Sequence, residues 1–570
     1  MPAAYSSCEE ANTILQLLTG LYSHDTDSLP AEIVGARQHV CFQSQRDFPY
    51  FPIPFKETET ASALKAVEGL AAAVLADLRD VESRDKGRRV TIDLEKTTAF
   101  LFQAYIATVN GLGKLDPEVK KLLKDTDLLQ AQSDSYRRMS ANLYETKRSG
   151  EYYHIHGSLE ASTTLRMIGL EPFRPDLKTH EAIVTTIETA VKGFTVVELE
   201  AMNASNRQAG VPALKHEDFL KTSHGQVSSK CTPWTVQQLE FSTPPSPLPR
   251  TTQPQTEDAC RPLAGIKVLE LCRIIAGPVI GRILAEYGAD VLKITAPNLS
   301  DVPFFQVDGN MGKHAAELDL KTAKGKARFE DLLADVDIVV DGYRPGAFDK
   351  LGYGPHALSK MAAKRGKGIV YVNESCFGFE GEWAARPGWQ QIADCVSGVA
   401  WAQGNFMGLS EPIVPPFPIS DYGTGCMGAI AALVGLLHRT KRGGSWHGKT
   451  SLLQYDLLLF RAGLYSQPVQ HELRQLVGEE FANLRHSNSV DQISGTALRS
   501  MRKKFPDFFT RKDLCDTWYS AAYGGDITAV NPVVSIDGVQ TGFQRGSRPN
   551  GSDAPTWDFG QDDDVRKTKE

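Results

Sequence analysis

The sequence predicts an α/β protein: an open parallel sheet flanked by helices, a smaller α+β domain beside it, and an internal partial duplication. Three observations carry this expectation. Short apolar runs alternate with helical segments between residues 265 and 375, the pattern of parallel strands joined by crossover helices. Residues 242–262 are dense in Pro, Ser, Thr and Gln and divide the chain. Residues 51–70 reappear in altered form at 417–436.

Taken in order, "TASALKAVEGLAAAVLADLRD" (60–80) is rich in Ala and Leu at helical spacing and predicts a buried helix. Residues 88–112 read as a strand-like entry and an apolar helix, 114–148 as a charged helix, and "EYYHIHG" (151–157) as a strand. The Pro-rich stretch offers little to bury and few ladder donors, so 226–262 reads as a linker. After it, "GIKVLELC" (265–272), "VLKIT" (291–295), "DIVVDGY" (337–343) and "GIVYVNES" (368–375) predict strands, with helices at 277–290 and 321–336. "PVVSID" near the C-terminus reads as a last strand.

Composition narrows the function classes. Of 570 residues, 41% are hydrophobic and 23% charged, as in a globular protein with a full core. A net charge of −7 argues against a nucleic-acid binder. Nine cysteines without a Cys-x-x-Cys pair fit reduced thiols, not a disulfide framework or a zinc site. No apolar run approaches the roughly 20 residues of a membrane span, and the first residues lack a secretory pattern. A cytoplasmic protein without a membrane partner is expected, a mitochondrial or peroxisomal one remaining open.

The repeat holds eight identities in twenty ungapped positions, including the shared "FPI" entry. "LFQA" (101–104) and "LFRA" (459–462) extend it. It is most informative where it fails: Asp421 in the second copy faces Phe55 in the first. If Asp421 is catalytic, the first copy has become scaffold.

No G-x-G-x-x-G, P-loop or G-x-S-x-G motif is present, so a nicotinamide, nucleotide or nucleophile-elbow site is unsupported. The segments "GIKVLEL…AGPVIGRILAEYGADVLKI", "ELDLKTAKGKARFEDLLADVDIVVDGYRPGAFDKLGYGP", "RPGWQQIADCVSG" and "PISDYGTGCMGAIAALVGLLHR" occur in register over about 262–470. In this order they resemble family III CoA-transferases, the CaiB/BaiF-like group that also holds the alpha-methylacyl-CoA racemases. The resemblance implies a Rossmann-like sheet and a CoA-transferase that moves CoA from an acyl-CoA to a carboxylic acid through an aspartyl intermediate. CoA then arrives as substrate, and no permanent cofactor or metal is implied.

By the same resemblance Asp421 is the nucleophile, and "YGTG" after it supplies N–H groups toward the reacting carbonyl. As a bare sequence position, Asp421 also suits a helix N-cap. The CoA slot would use Ile275, Ala276, Leu318, Gly342, Tyr343 and Arg344, with Lys350 as a phosphate partner and Trp389 against the pantetheine or acyl chain. Lys293 and Lys313 are weaker cation candidates, and Ala296 stands where the family pattern has an arginine. The racemases carry an acid/base His at the position of Trp389, and indole cannot shuttle protons. That counts against an acyl-CoA racemase, which stays the alternative together with a non-catalytic acyl-CoA-binding protein. Glu160 reads as a surface acid, and His154 and His156 as structural histidines on one strand face. The implied domain plan is a degenerate partial copy with long helices and small domain at 1–225, the linker at 226–262 and a CoA-binding large domain at 263–480. A short helical small-domain region at 481–535 and a C-terminal return segment and tail at 536–570 follow. Acyl-CoA and carboxylic acids are the expected partners, in a homodimer or a single-chain pseudo-dimer.

Overall fold

The computed structural model describes residues 5–79, 87–249, 260–560 and 563–567. The Ala-rich helix α1 (Glu57–Arg79) is buried on nearly every face, because its small side chains let neighbouring helices approach closely. Beyond it the expected long helices are shorter. Within 88–112 the strand is Val90–Asp93 and the helix only Leu94–Phe100. The helix expected over 114–148 is replaced by a 3-10 turn (Pro117–Leu122), one helical turn (Ser135–Arg138) and strand β1 (Ala141–Glu145). The cause is local: the Asp116 and Asp134 carboxylates accept from the N–H groups of Glu118 and Arg137. Asp127 accepts from Ala131, Gln132 and Ser133, and such side-chain bonds outcompete a continuous helical ladder. β1 pairs antiparallel with β2 (Tyr152–His156), which pairs with β3 (Val211–Pro212). This small sheet has its own core of Tyr144, Tyr153, Ile155, Ile187 and Leu199.

The main sheet has seven strands. They are β4 (Trp234–Glu240), β5 (Lys267–Leu271), β6 (Asp290–Thr295), β7 (His314–Glu317), β8 (Ile338–Asp341), β9 (Val370–Ser375) and β10 (Ser445–Ser451). Helices α2 (Ala276–Glu286) and α3 (Ala323–Leu333) lie among the crossovers. The order is β7-β6-β5-β8-β9-β10-β4, parallel throughout except β4, which runs antiparallel to β10. The parallel strands thus follow the 3-2-1-4-5-6 arrangement of doubly wound sheets. β4 lies within the stretch expected as a linker and closes the sheet edge, a correction to that reading; residues 250–259 of the stretch are outside the described residues. β7 and β10 are also additions, their Gly, His and Ser content having hidden them.

Helix α4 (Gln390–Ser397) precedes α5 (Ile419–Arg442), which is followed by β10 and α6 (Leu452–Ala462). α5 is apolar and long enough for a membrane span by composition, yet 94% of its apolar window is buried inside the protein. It packs on α1, its partner in the repeat, and the equivalent Phe51 and Phe417 rings sit 5.9 Å apart. Region 481–535 holds the helix Val490–Lys504 but also a hairpin, Cys515–Ser520 with Gly525–Val530. It is therefore not only helical. The hairpin continues into the first half of the chain by pairing with Thr108–Val109. Val534–Ile536 pairs with Val90–Asp93, and Asp553 bridges to Ala316 at the edge of the main sheet.

Candidate active site

Doubly wound sheets bind ligands outside the carboxyl ends of the strands where the order reverses. That point lies here between β5 and β8. A cavity of about 390 Å³ opens there, with Ile275 and Ala276 after β5, Gly342, Tyr343 and Arg344 after β8, and Trp389 and Asp421 on its walls. These seven sequence-derived candidates converge. Leu318 and Lys350 are not among the lining residues: Leu318 packs on the apolar cluster beneath β6 and β8, and Lys350 is exposed in the last turn of the short helix Ala347–Leu351. Lys293 and Lys313 are buried elsewhere. Lys293 donates to Asn310 at 3.0 Å, and Lys313 pairs with Glu270 at 2.5 Å.

Asp421 is the third residue of α5 and half-buried. Among the described residues nothing donates a hydrogen bond to its carboxylate, so it is not the N-cap; Pro418 holds that position. The turn that presents it is strained. Phe417 has φ 67°, and Ile274, which lines the same cavity, has φ 71°. Such conformations cost about 1–3 kcal/mol each and persist where the surroundings over-determine them. Around Phe417 those surroundings are aromatic: Phe102 at 4.9 Å and Tyr105 at 5.1 Å between ring centroids, with Ser494 accepting from its N–H at 3.1 Å. The expected N–H donors of "YGTG" do not face the site from Gly423 onward, because these residues lie inside the helical ladder of α5. The glycines serve packing instead. A Cβ on Gly425 would meet Val279 Cγ1 at 2.4 Å, and one on Gly423 the Tyr455 ring at 1.9 Å.

Burial holds the Asp421 carboxyl well above the usual carboxylate range, with Glu374 and Asp456 adding to the shift. Glu374, at the end of β9, also lines the cavity; burial and then Asp341 push it up to about 8. Behind Asp421, the Ser420 hydroxyl lies 3.0 Å from Asp394 Oδ1 and 2.7 Å from Asp456 Oδ1. One hydroxyl has one proton to share between these two carboxyls, an arrangement that favours a proton on one of them. Burial accordingly pushes Asp394 far up and Asp456 to about 7. Of these raised carboxyls, Asp421 lies in the first turn of α5, where the helix N-terminus favours its charged form.

Trp389 joins the two domains. Its indole Nε1 donates to Ser158 Oγ at 2.8 Å, and His156 stacks on it at 5.5 Å with an interplanar angle of 8°. His154 bonds Gln391, and burial pushes His154 down to about 4 and His156 well down, so both are neutral, and of the two His156 is the one that lines a cavity. Glu160 lines the cavity mouth, but as the cap of helix Ala161–Met167, accepting from Ser162 N–H at 2.9 Å. Sequence reasoning missed Arg273 and Glu374. Arg273 lines the cavity, donates to Ser300 O at 2.9 Å and lies 5.5 Å over the Tyr343 ring. Each follows or ends an apolar strand run, a signal that was legible. A second cavity of about 90 Å³ adjoins the first; Asp421, Trp389 and Ile275 line both. Among the described residues no group of three or more His, Cys, Asp or Glu side chains is placed to hold a metal ion.

The site therefore joins a cavity lined by Arg273, Arg344 and Arg386, a carboxylate at a strained helix start, and a smaller adjoining cavity. The profile of CoA-transferase family III matches residues 263–488. The chain is 31% identical over 545 residues to acetyl-coenzyme A transferase nodX of Hypoxylon pulicicidum, covering 93% of this chain and 90% of that protein. It is 30% identical over 499 residues to an acyl-CoA transferase of Gibberella moniliformis, covering 86% of each. The beta subunit of succinyl-CoA–L-malate CoA-transferase from Chloroflexus aurantiacus is 32% identical over 195 residues, 32% of this chain and 47% of that subunit.

Proposed function

Because this chain belongs to CoA-transferase family III, we propose that Asp421 is the nucleophile through which it works. The protein is an enzyme, a CoA-transferase acting between acyl-CoA donors and carboxylic-acid acceptors. In the proposed sequence an Asp421 oxygen attacks the thioester carbonyl, the C–S bond breaks, and a mixed anhydride and the CoA thiolate result. The thiolate attacks the aspartyl carbonyl of the anhydride, releasing the donor acid and leaving Asp421 as a CoA thioester. The acceptor carboxylate attacks that thioester, and the same two steps in reverse pass CoA to the acceptor and restore Asp421. No oxidant, reductant or external proton source enters the balance.

The observation that carries this reading is the position of Asp421 on the wall shared by the two cavities. CoA fits the larger, with Arg273 and Arg344 for its phosphates and Tyr343 and Ile275 along the slot; the acyl group fits the smaller. Burial that raises Asp421 also leaves its ionised form without a hydrogen-bond donor, and so more nucleophilic than a solvated carboxylate. Trp389 offers no base for α-proton exchange, and its indole N–H is engaged by Ser158. The two repeat copies make a single-chain pseudo-dimer with one site, and a monomeric mass in solution would support that. The test is mass spectrometry of the enzyme incubated with a panel of acyl-CoAs and trapped with hydroxylamine. A hydroxamate on Asp421 is expected. Asp421→Asn is expected to show none and to lose about 10⁴-fold or more in transfer rate. An adduct elsewhere, or an active Asp421→Asn protein, overturns the assignment.

A further inference from the structure

Three helices meet behind the nucleophile through side chains that the proposed reaction does not use. Asp394 and Ser397 come from α4, Ser420 from the first turn of α5 and Asp456 from α6. All four are buried. Ser420 Oγ lies between Asp394 Oδ1 and Asp456 Oδ1, and Ser397 Oγ donates to Asp456 Oδ2 at 3.0 Å. The Gln390 amide bonds Asp394 Oδ2. Among the described residues neither carboxyl is in an ion pair with a cation. Two adjacent carboxyls out of water and without a cation cannot both ionise. Hydrogen-bond accounting places the proton. Each oxygen of Asp456 faces a hydroxyl, at 2.7 and 3.0 Å, so this carboxyl has the donors that a charge needs. Once the Ser420 proton points at Asp456, the Ser420 oxygen presents only lone pairs to Asp394 Oδ1, which has to bring a proton of its own. The order of the two groups agrees, with Asp394 held far up by burial and Asp456 at about 7.

The bridge joins the two helices whose starts line both cavities. Trp389 immediately precedes α4, and Asp421 immediately follows Ser420 on α5. We propose that Asp394 and Asp456 are positioning residues for the transfer reaction: with one proton between them, resident on Asp394, they lock Ser420 and hold Asp421 in register with Trp389. This rests on the assignment of Asp421 as nucleophile. The groups that face the pair are Cys395 on α4, Asp421 on α5, Tyr455 on α6 and Glu57 on α1. Glu57 is bonded to the Tyr455 hydroxyl at 3.0 Å and pushed up by burial to about 8. Each of these neighbours is neutral or anionic, so none offsets a second charge on the pair. Loss of the Asp394 proton at high pH sets two carboxylates against one hydroxyl, and the tie between α4 and α5 opens.

The proposal is tested on the full-length enzyme by measuring kcat and KM for an acyl-CoA donor against pH, with thermal unfolding of the same samples. The parent kcat is expected to fall on the alkaline side. Asp394→Ala is expected to lose about 100-fold in kcat, the scale of a small misplacement of a reacting group, while KM changes by less than about threefold because the residue touches no substrate. Asp394→Asn keeps an N–H donor toward Ser420 that cannot be titrated. It is expected to recover kcat to within about tenfold of the parent at neutral pH and to lack the alkaline fall. The Asn variant decides the matter even where the Ala variant fails to fold. An Asp394→Asn enzyme with the same alkaline limb as the parent, or an Asp394→Ala enzyme that melts lower yet keeps the parent kcat, overturns the proposal. Hydroxylamine trapping separates the two readings. An Asp421 adduct together with an unmoved alkaline limb defeats only the positioning role, whereas absence of any Asp421 adduct across the acyl-CoA panel defeats both.

Discussion

Lys313 and Glu270 form an ion pair with both side chains fully buried, 2.5 Å apart, and Lys313 also donates to Pro278 O at 2.6 Å in the first turn of α2. α2 presses on the pair at Gly281, where a Cβ would lie 2.1 Å from Glu270 Oε2. Desolvation dominates pairing for both groups, pushing Lys313 down to about 8 and Glu270 up. Replacing Lys313 by Met strands Glu270, whose Oε1 already has no partner. Removing one member of a buried pair costs about 3–5 kcal/mol. The double change Lys313→Met/Glu270→Gln leaves only a neutral amide, a penalty of about 1–3 kcal/mol, so it is expected to recover part of the loss. The sign of the pH dependence follows from the stranded carboxyl. Its folded pKa is raised, so the native state keeps it protonated at low pH and that advantage is lost as pH rises through the folded value. Lys313→Met is therefore expected to be nearest the parent at pH 5 and to fall further behind by pH 8. Urea unfolding followed by circular dichroism at the two pH values measures this. A loss under about 1 kcal/mol, equal at both, would refute the reasoning. Because Pro278 O anchors the helix whose start lines the CoA slot, acyl-CoA affinity is expected to weaken in parallel.

Glu374→Gln removes a carboxyl that raises Asp421, so the acidic limb of kcat/KM is expected to move down by about one pH unit; an unmoved limb would separate Glu374 from the nucleophile. His486 sits between Glu188 at 2.8 Å and Glu411 at 3.0 Å, and although burial alone would lower it, these two carboxylates raise it to about 9. Its contribution to stability is full below about pH 6.5 and is lost as pH rises through 9, so thermal unfolding midpoints should drop over that window and His486→Gln should flatten the drop. Gly425→Ala would set a methyl 2.4 Å from Val279 Cγ1 and 2.9 Å from Ala276 O, and overpacking of about 1–3 kcal/mol should appear as a lower melting temperature and weaker acyl-CoA binding; a variant indistinguishable from the parent in both would show that α2 yields freely.

The strands easiest to read were those buried on both faces. β5, β8 and β9 are near-continuous Val, Ile and Leu runs because helices cover them from either side. β10 was hidden although it is interior, because "SWHGKTS" replaces bulk with Gly448, against which α5 closes so tightly that a Cβ would lie 2.8 Å from Ala431 Cβ. β4 was hidden by its Pro-rich neighbours. At the site, Asp421 and the turns after β5 and β8 were legible because they sit in contiguous motifs at strand or helix ends. Lys114 and Arg138 were not. They lie in a charged stretch about 300 residues before Asp421 in sequence, and only the fold brings them to the smaller cavity that Asp421 also lines.

The packing of one repeat copy on the other also gives a structural role to the copy that has Phe55 where the other has Asp421. Phe55, at the position of Asp421, is buried and edge-on to Phe460 at 5.0 Å, so the equivalent site is filled rather than vacant. The turn before Asp421 needs Phe417 in a left-handed conformation that an isolated chain would relax. Phe51, Phe102 and Tyr105, all from the first copy, pack on that ring, and the hydroxyl of Tyr422, the residue after Asp421, accepts from Ala104 N–H at 3.2 Å. Residues 263–570 alone would keep six strands of the main sheet and the aspartate but lose β4 and the aromatic clamp on the turn. Under the proposed role of Asp421 the first copy is a structural half of that site: Phe55 fills its own equivalent position, while its aromatic residues hold the turn before Asp421.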